Sequence, residues 1–298
     1  MTDVRHARLL DRIGGTPFYR RRLARPDPAS DEWARLPLTR REELVRDQVE
    51  HLPFGSRRFP DAAAPVRVGV TGSGDGLLVL AWSQEALARE RGAGARLLRR
   101  LGVGAGMSVA NTLPGALATP GALLLGDVVE EIGALDVPLG SPDTEPAARQ
   151  AWELVDRVEP AVMILDAASA GAFFAAVPPA TRAWWRGLVW LGDGAAPPRV
   201  PAAAGFSGWQ RHWLAVPEAS SFVARSCAAS RYHVDEGVEA EVVDVESGAP
   251  LPPGREGLLT LTPLEGDTAL LRYASGLAAR LLPAPCGCGE AGTVVEVA

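Results

Sequence analysis

Short apolar runs alternate with longer amphipathic segments along most of this chain. The runs are rich in Val, Leu and Ile and span residues 67–70, 77–82, 108–113, 135–139, 162–165 and 188–191. We interpret the segments between them as helices, because strand-like runs separated by helical segments are typical of a mostly parallel sheet with helices on its faces. The pattern therefore predicts an α/β fold.

The alternation stops near Glu218. Beyond this residue the strand-like runs are closely spaced and joined by turn sequences such as ESG and PPG, and they span residues 239–245, 257–262 and 269–273. Closely spaced strands without intervening helices indicate a smaller β-rich subdomain.

The beginning of the chain is predicted to be helical. Thr39 and Glu42 form a T-x-x-E capping box ahead of Leu44 and Val45, which predicts a helix start at this point. With the two changes of pattern, the predicted division is a helical segment at 1–60, α/β subdomains at 61–218 and a β-rich subdomain at 219–298.

Composition narrows the class of protein. The 298 residues are 47% hydrophobic and 22% charged, with a net charge of −6, so a large core is expected and no basic patch for nucleic acid is evident. The N-terminal segment has scattered charges and no continuous apolar stretch, which argues against a signal peptide or a membrane span. We expect a cytoplasmic protein with neither a nucleic-acid nor a membrane partner. Whether the protein forms a homodimer is left open by the sequence.

Three cysteines and one histidine suggest a metal site. Cys286 and Cys288 lie in the glycine-flanked knuckle PCGCGE, and Cys227 precedes His233 by six positions. Three thiolates and one imidazole are the ligand set of a closed tetrahedral structural zinc site. The alternative is three small buried side chains and a surface histidine, but a glycine-rich knuckle suits a metal turn better than a core strand.

The segment from Val70 to Leu78, VTGSGDGLL, is a glycine-rich loop that follows a strand. Such loops can direct backbone N–H groups toward a phosphate. This one lacks a following Lys or Arg and carries Asp75, so it matches neither the P-loop nor the dinucleotide-binding turn.

Several segments along the chain together match one known family, and they are TPFYRRRLA, LPLTRREEL, HLPFG, the glycine loop, ESGAPLPPGREGLLTLTPL, ALLRYASG and LLPAPCGCG. On these segments the chain resembles the phenylacetate-CoA ligase branch of the adenylate-forming enzymes. The resemblance implies flavodoxin-like parallel sheets covered by helices, followed by a β-rich subdomain. It ends at VVEVA, where the family continues into a mobile C-terminal domain carrying the catalytic lysine, so we expect a truncated relative that lacks this domain.

The resemblance also implies a structural Zn²⁺ ion. Several family members place a Cys, a His and a late C-x-C around zinc, and Cys227, His233, Cys286 and Cys288 match these positions.

The phosphate loop departs from the family pattern. The resemblance places Thr71, Gly72, Ser73, Gly74, Asp75 and Gly76 where the family has a hydroxyl-rich, basic ATP-binding loop. Thr71 is retained, whereas Gly72, Gly74 and Asp75 replace hydroxyl residues and no basic residue follows. An aspartate about 4 Å from a phosphate oxygen would cost about 4 kcal/mol at an effective dielectric constant near 20. ATP is therefore expected not to bind.

Two further nucleotide motifs are altered. The adenine-side motif reads LAVPE and keeps only Glu218, which is a retained magnesium ligand, a solvated acid or a helix cap. The ribose-side motif reads RYASGL, with Leu277 in place of an aspartate, so Arg272 and Tyr273 are a remnant of this site or simply hold the β-rich subdomain together.

These changes favour a repurposed protein that handles an activated acyl group, such as a CoA or carrier-protein thioester, by transfer, amide formation or cyclisation without ATP. The alternatives are a non-catalytic pseudoenzyme and a divergent aryl- or acyl-CoA ligase completed by a separate C-terminal domain. The candidate catalytic residues are Ser73, Asp193 and Glu218. The expected ligands are acyl thioesters or aromatic or acyl small molecules. The arginines of RERGAGARLLRR are most simply a solvated helix face, and a basic face could also dock an acyl carrier protein.

Overall fold

The computed structural model describes residues 4–23, 36–115, 117–178, 185–192 and 199–298. The helices in these ranges are α1 (Val4–Gly14), α2 (Pro17–Arg20), α3 (Arg41–Glu50), α4 (Gln84–Arg100), α5 (Ala122–Glu131), α6 (Glu145–Val158) and α7 (Ala170–Ala175). The strands are β1 (Arg67–Thr71), β2 (Leu78–Trp82), β3 (Ser108–Asn111), β4 (Leu135–Pro138), β5 (Val162–Asp166), β6 (Gly187–Gly192), β7 (Trp209–Val216), β8 (Ser220–Ser226), β9 (Tyr232–Val234), β10 (Val238–Val243), β11 (Glu256–Pro263), β12 (Tyr273–Leu281) and β13 (Val294–Val297).

Among the helices of the described ranges, none has the length and apolar character that a membrane span requires.

The chain forms two compact units. The first contains residues 1–89, 216–220 and 234–298, and the second contains residues 90–215 and 221–233. The three-part division at residues 60 and 218 stays a prediction.

The second unit is built on a sheet with the strand order β9-β8-β7-β6-β5-β3-β4. Neighbouring strands from β4 to β7 are parallel. Successive residues of β5 point to opposite faces, so that Val162 and Ile164 pack with residues of α4 and α5, while Met163 and Leu165 pack with residues of α6 and α7. A parallel sheet buried on both faces confirms the predicted α/β fold class.

The first unit contains the antiparallel strands β10, β11, β12 and β13 in sequential order. It also contains a separate antiparallel hairpin of β1 and β2, in which Thr71 pairs with Leu78 at the end next to the turn. The glycine loop is the turn of this hairpin.

This hairpin corrects one prediction. The apolar pattern places the runs at 67–70 and 77–82 among the alternating strands and helices of a parallel sheet, but they pair antiparallel with each other. The physical reason is the length of the connection, because parallel neighbours need a crossover of about a dozen residues or more and only residues 72–77 lie between these strands.

The parallel sheet contains one strand, β7, that is not among the predicted runs. β7 is parallel to β6 and extends that sheet to Val216, and β8 follows after a short turn. Farther along, the run predicted at 269–273 is not a strand over most of its length. β12 begins only at Tyr273, because Arg272 adopts a positive φ of 44° that interrupts extended backbone.

The helix predicted at Thr39 begins at Arg41 instead. Glu43 accepts a hydrogen bond from the Arg40 backbone N–H at 2.8 Å, so the acidic cap residue is one position later than predicted. Thr39 is buried, and its hydroxyl donates to the Leu271 carbonyl at 2.7 Å. The T-x-x-E pattern therefore identifies the helix but not its first residue.

Candidate functional site

Four predicted metal ligands come together in the structure. One ligand atom from each of Cys227, His233, Cys286 and Cys288 can be chosen so that all four lie within 4.8 Å of one another. All three cysteines lie in described ranges, and none of them is in a disulfide. This Cys₃His group can hold a metal ion.

Cys227 and His233 are placed by a tight turn that links β8 to β9. The Ser230 N–H donates to the Cys227 carbonyl at 3.0 Å, and the Cys227 N–H donates to the Arg231 carbonyl at 2.9 Å. Ser230 has a φ of 56°, which closes the turn. The chain thus returns into β9 and places His233 close to Cys227.

A second turn places the two cysteines of the C-x-C knuckle. The Gly289 N–H donates to the Cys286 carbonyl at 2.9 Å, and Gly289 has a φ of 86°, a conformation that glycine adopts at little cost. Cys286 is buried and Cys288 is exposed. The glycine in this knuckle therefore allows both thiols to face the same point.

The donor set fits a tetrahedral metal. Zn–S bonds of about 2.3 Å in a tetrahedron separate two sulfur atoms by about 3.8 Å. The ligand atoms here lie within 4.8 Å of one another, a separation close to that of ligands around one ion. Thiolates and imidazole are also the ligand types that favour zinc over magnesium or calcium.

Two N–H groups at the glycine loop donate hydrogen bonds to carbonyl groups of the same loop. Residues Gly74–Gly76 form a single turn of 3₁₀ helix, in which the Gly76 N–H donates to the Ser73 carbonyl and the Leu77 N–H donates to the Gly74 carbonyl, both at 3.1 Å. Two of the donors that could have faced a phosphate are therefore already bonded within the loop.

The guanidinium of Arg41, which lies on α3, contacts the backbone carbonyls at both ends of this loop. Arg41 donates from Nη2 to the Thr71 carbonyl at 2.9 Å and to the Gly76 carbonyl at 2.8 Å, and its Nη1 pairs with the Glu218 carboxylate. Gly72 makes room for this arrangement, because a Cβ atom there would lie 2.3 Å from Arg41 Nη2. Arg41 is not among the site residues predicted from the sequence.

The surroundings of this ion pair are strongly desolvated. The Glu218 side chain is only 5% exposed. Burial, followed by the negative charge of Glu218, raises the pKa of Tyr273 to about 12, although a hydrogen bond from Arg41 opposes the shift. Burial also lowers the pKa of Arg57, which interacts electrostatically with Glu218 and Tyr273. Tyr273 and Glu218 thus share a largely water-excluded region with two arginines.

Arg272 is engaged by the β-rich part of the first unit. Its guanidinium donates to the Leu36 carbonyl at 2.6 Å, to the Gly248 carbonyl at 2.7 Å and to the Glu241 carboxylate at 3.0 Å. The side chain is almost completely buried. These contacts favour the alternative in which Arg272 holds this part of the fold together.

The other predicted site residues are in the glycine loop, in β12 or outside the described residues. Ser73 and Asp75 are exposed in the glycine loop, and Leu277 lies in β12. Asp193 lies outside the described residues. Neither Arg41 nor Arg57 carries a sequence signal for its position, because each reaches the Glu218 region from a part of the chain more than 150 residues away.

No family model matches the sequence, and no curated protein matches it. Among solved structures, an open conformation of a 2-hydroxyisobutyryl-CoA ligase in complex with 2-HIB-AMP and CoA superposes with a TM-score of 0.85 at 20% identity. The superposition covers 98% of this chain and 71% of the ligase. The chain has the fold of the N-terminal domain of the adenylate-forming enzymes.

Two further superpositions agree with this adenylate-forming fold. The same ligase in the postadenylation state has a TM-score of 0.84 at 19% identity, with 98% of this chain and 65% of the ligase covered. A long-chain-fatty-acid-CoA ligase from Archaeoglobus fulgidus has a TM-score of 0.58 at 11% identity, with 78% and 50% covered. The chain thus spans about two thirds of the first ligase and half of the second. The phenylacetate-CoA ligase branch stays a prediction.

Proposed function

We propose that this chain is a repurposed adenylate-forming-type protein that binds or acts on an already activated acyl group without ATP. The observation that carries the proposal is the Arg41 contact with Glu218 and the glycine loop, because it occupies groups that a nucleotide and its metal ion would need. Support for an acyl ligand comes from the fold, which is shared with a ligase solved with an acyl-AMP and CoA.

Several local features disfavour nucleotide phosphates. The loop N–H groups of Gly76 and Leu77 are bonded internally, and Asp75 adds a negative charge. Each lost hydrogen bond to a phosphate would cost about 1.5–3 kcal/mol, the usual range for bonds to charged groups. Leu277 in β12 cannot accept hydrogen bonds from ribose hydroxyls. Magnesium nucleotide is therefore expected to bind weakly or not at all.

The proposed chemistry is transfer of an acyl group from a thioester to an amine, hydroxyl or thiol. The nucleophile attacks the thioester carbonyl carbon, forms a bond to it and gives up its proton, while the carbon–sulfur bond breaks and the departing thiolate takes up a proton to become the free thiol. No ATP is needed, because the thioester is already activated. A cleft that aligns the two reactants can supply much of the acceleration through proximity. Ser73, Asp193 and Glu218 remain the candidate catalytic residues.

The Cys₃His group is proposed to hold one structural Zn²⁺ ion through Cys227, His233, Cys286 and Cys288. Four protein ligands leave no open position for a metal-activated water, so the ion would stabilise the fold and take no part in acyl transfer.

Nucleotide binding provides the first test. We expect isothermal titration calorimetry of the zinc-loaded protein to detect no binding of AMP or magnesium ATP tighter than about 1 mM, equivalent to about 4 kcal/mol of binding free energy. A nucleotide affinity in the micromolar range, or acid-dependent exchange of pyrophosphate into ATP, would contradict the proposal. That result would support a divergent ligase completed by a separate C-terminal domain.

Thioester consumption provides the second test. We expect the protein to consume at least one acyl-CoA or acyl-carrier-protein thioester without ATP, measured by mass spectrometry with an added amine nucleophile. Ser73→Ala is expected to slow this reaction, by up to the 10²–10⁴-fold range typical of general acid–base groups if the hydroxyl contacts the reacting atoms. Ser207→Ala is the matched control, because Ser207 is exposed and lies outside the glycine loop. No turnover across a broad thioester panel would favour a pseudoenzyme.

A further inference from the structure

We propose that the Arg41 guanidinium is the resident cation of an oxygen site formed by the Thr71 carbonyl, the Gly76 carbonyl and the Glu218 carboxylate. We further infer that this oxygen site binds a divalent metal ion when Arg41 is removed. The inference concerns a cation site and is independent of thioester turnover.

The loop directs oxygen atoms at Arg41. Nη2 lies 2.9 Å from the Thr71 carbonyl oxygen and 2.8 Å from the Gly76 carbonyl oxygen, and Nη1 pairs with Glu218. Backbone carbonyls and a carboxylate are the oxygen ligands that hard divalent cations take in proteins. The same three groups that hold the guanidinium therefore form part of a metal coordination shell.

The loop closes tightly around the guanidinium. A Cβ atom on Gly72 would lie 2.3 Å from Arg41 Nη2 and 2.6 Å from the Gly76 carbonyl oxygen. Gly72 also has a φ of 76°, which L side chains rarely adopt. The absence of a side chain at Gly72 thus leaves the space that the Arg41 guanidinium occupies.

Burial makes a cation necessary at this place. The Glu218 side chain is 5% exposed, and an ionised carboxylate at that depth requires a paired charge. Arg57 also interacts electrostatically with Glu218, but its Nη1 donates to the Ala269 carbonyl at 3.3 Å. Without Arg41, the buried Glu218 carboxylate would lose the cation that contacts it in the structure.

A magnesium ion that accompanies a nucleotide does not fit the oxygen site while Arg41 occupies it. The two cations would compete for the same oxygen atoms, and the guanidinium is covalently attached to α3. Metal binding at this loop is therefore blocked by an internal ligand, and the block can be removed by one substitution.

Binding of Mn²⁺ to the zinc-loaded protein, measured by electron paramagnetic resonance, tests this inference. We expect Arg41→Ala to bind one Mn²⁺ at least tenfold more tightly than the unaltered chain, and the double variant Arg41→Ala/Glu218→Gln to lose that gain. Arg46→Ala is the matched control, because it removes the same charge from an exposed position of α3. Equal Mn²⁺ affinity in the unaltered chain and Arg41→Ala, or a gain that persists in the double variant, would overturn the proposal.

A second measurement covers the case in which Arg41→Ala does not fold. Glu218→Gln and Arg41→Lys each weaken the same contacts with a smaller change, and we expect amide hydrogen exchange of residues 71–77 to become at least tenfold faster in both than in Arg46→Ala. Unchanged exchange in both variants would show that Arg41 does not hold the loop. Neither measurement depends on a thioester substrate, so failure of the proposed acyl chemistry would leave these results interpretable.

Discussion

Replacing Arg272 by Leu is expected to lower the free energy of unfolding by about 3–5 kcal/mol, because one member of a buried ion pair is removed. Glu241 would keep its charge without the guanidinium, and the Leu36 and Gly248 carbonyls would lose their donor. Urea denaturation followed by tryptophan fluorescence and circular dichroism measures the change.

Arg280→Leu is the matched control for this prediction. Arg280 lies on the same strand, β12, and its ion pairs with Glu256 and Glu296 are exposed. Exposed pairs contribute about 0–1 kcal/mol, so this variant should unfold close to the unaltered chain. Equal losses of stability in the two variants would mean that Arg272 is not the structural residue inferred from its contacts.

Replacing Cys286 by Ser is expected to reduce zinc from about one ion per chain to a small fraction of that and to lower the melting temperature. The reason is that a structural zinc site contributes folding free energy directly, and three ligands hold the ion much less tightly than four. Elemental analysis by mass spectrometry and differential scanning calorimetry measure the two effects. With the ion bound, X-ray absorption should give Zn–S distances near 2.3 Å and a Zn–N distance of about 2.0–2.1 Å.

Metal removal separates the loss of the ion from the effect of the substitution itself. Treating the unaltered protein with a chelator should lower its melting temperature toward that of Cys286→Ser, and added zinc should restore the unaltered protein but not the variant. Protein purified without a chelator that contains less than about 0.1 zinc per chain would contradict the zinc assignment.

The apolar runs of the sequence identify strands β3, β4, β5 and β6 of the second unit. β5 is an uninterrupted apolar run because it is buried on both faces, and such runs are readable without knowledge of their neighbours. β7 is not predicted because Gln210, Arg211 and His212 interrupt its apolar character. β8 is not predicted because Ser220, Ser221 and Arg225 are polar although they are buried. Strand direction is not readable either, since period-two alternation is the same in a hairpin and in a parallel sheet.

The two candidate sites differ in how far residue chemistry can identify them. Thiols suit few roles, so the three cysteines can be grouped by residue type, and His233 joins them through its spacing of six positions from Cys227. An arginine suits many roles, and nothing in LTRREEL distinguishes Arg41 from its neighbours. Its role depends on the distance from α3 to the β1–β2 turn, which is a property of tertiary structure alone.

The close approach between Gly72 and Arg41 makes these two positions epistatic. A side chain added at 72 would place its Cβ atom 2.3 Å from Arg41 Nη2 and 2.6 Å from the Gly76 carbonyl oxygen, so replacing Arg41 removes only the first of these two close contacts. The positive φ of Gly72 would remain unfavourable for a side chain in either background. A mutational route that restores a hydroxyl at 72 must therefore change the backbone of the loop as well as position 41.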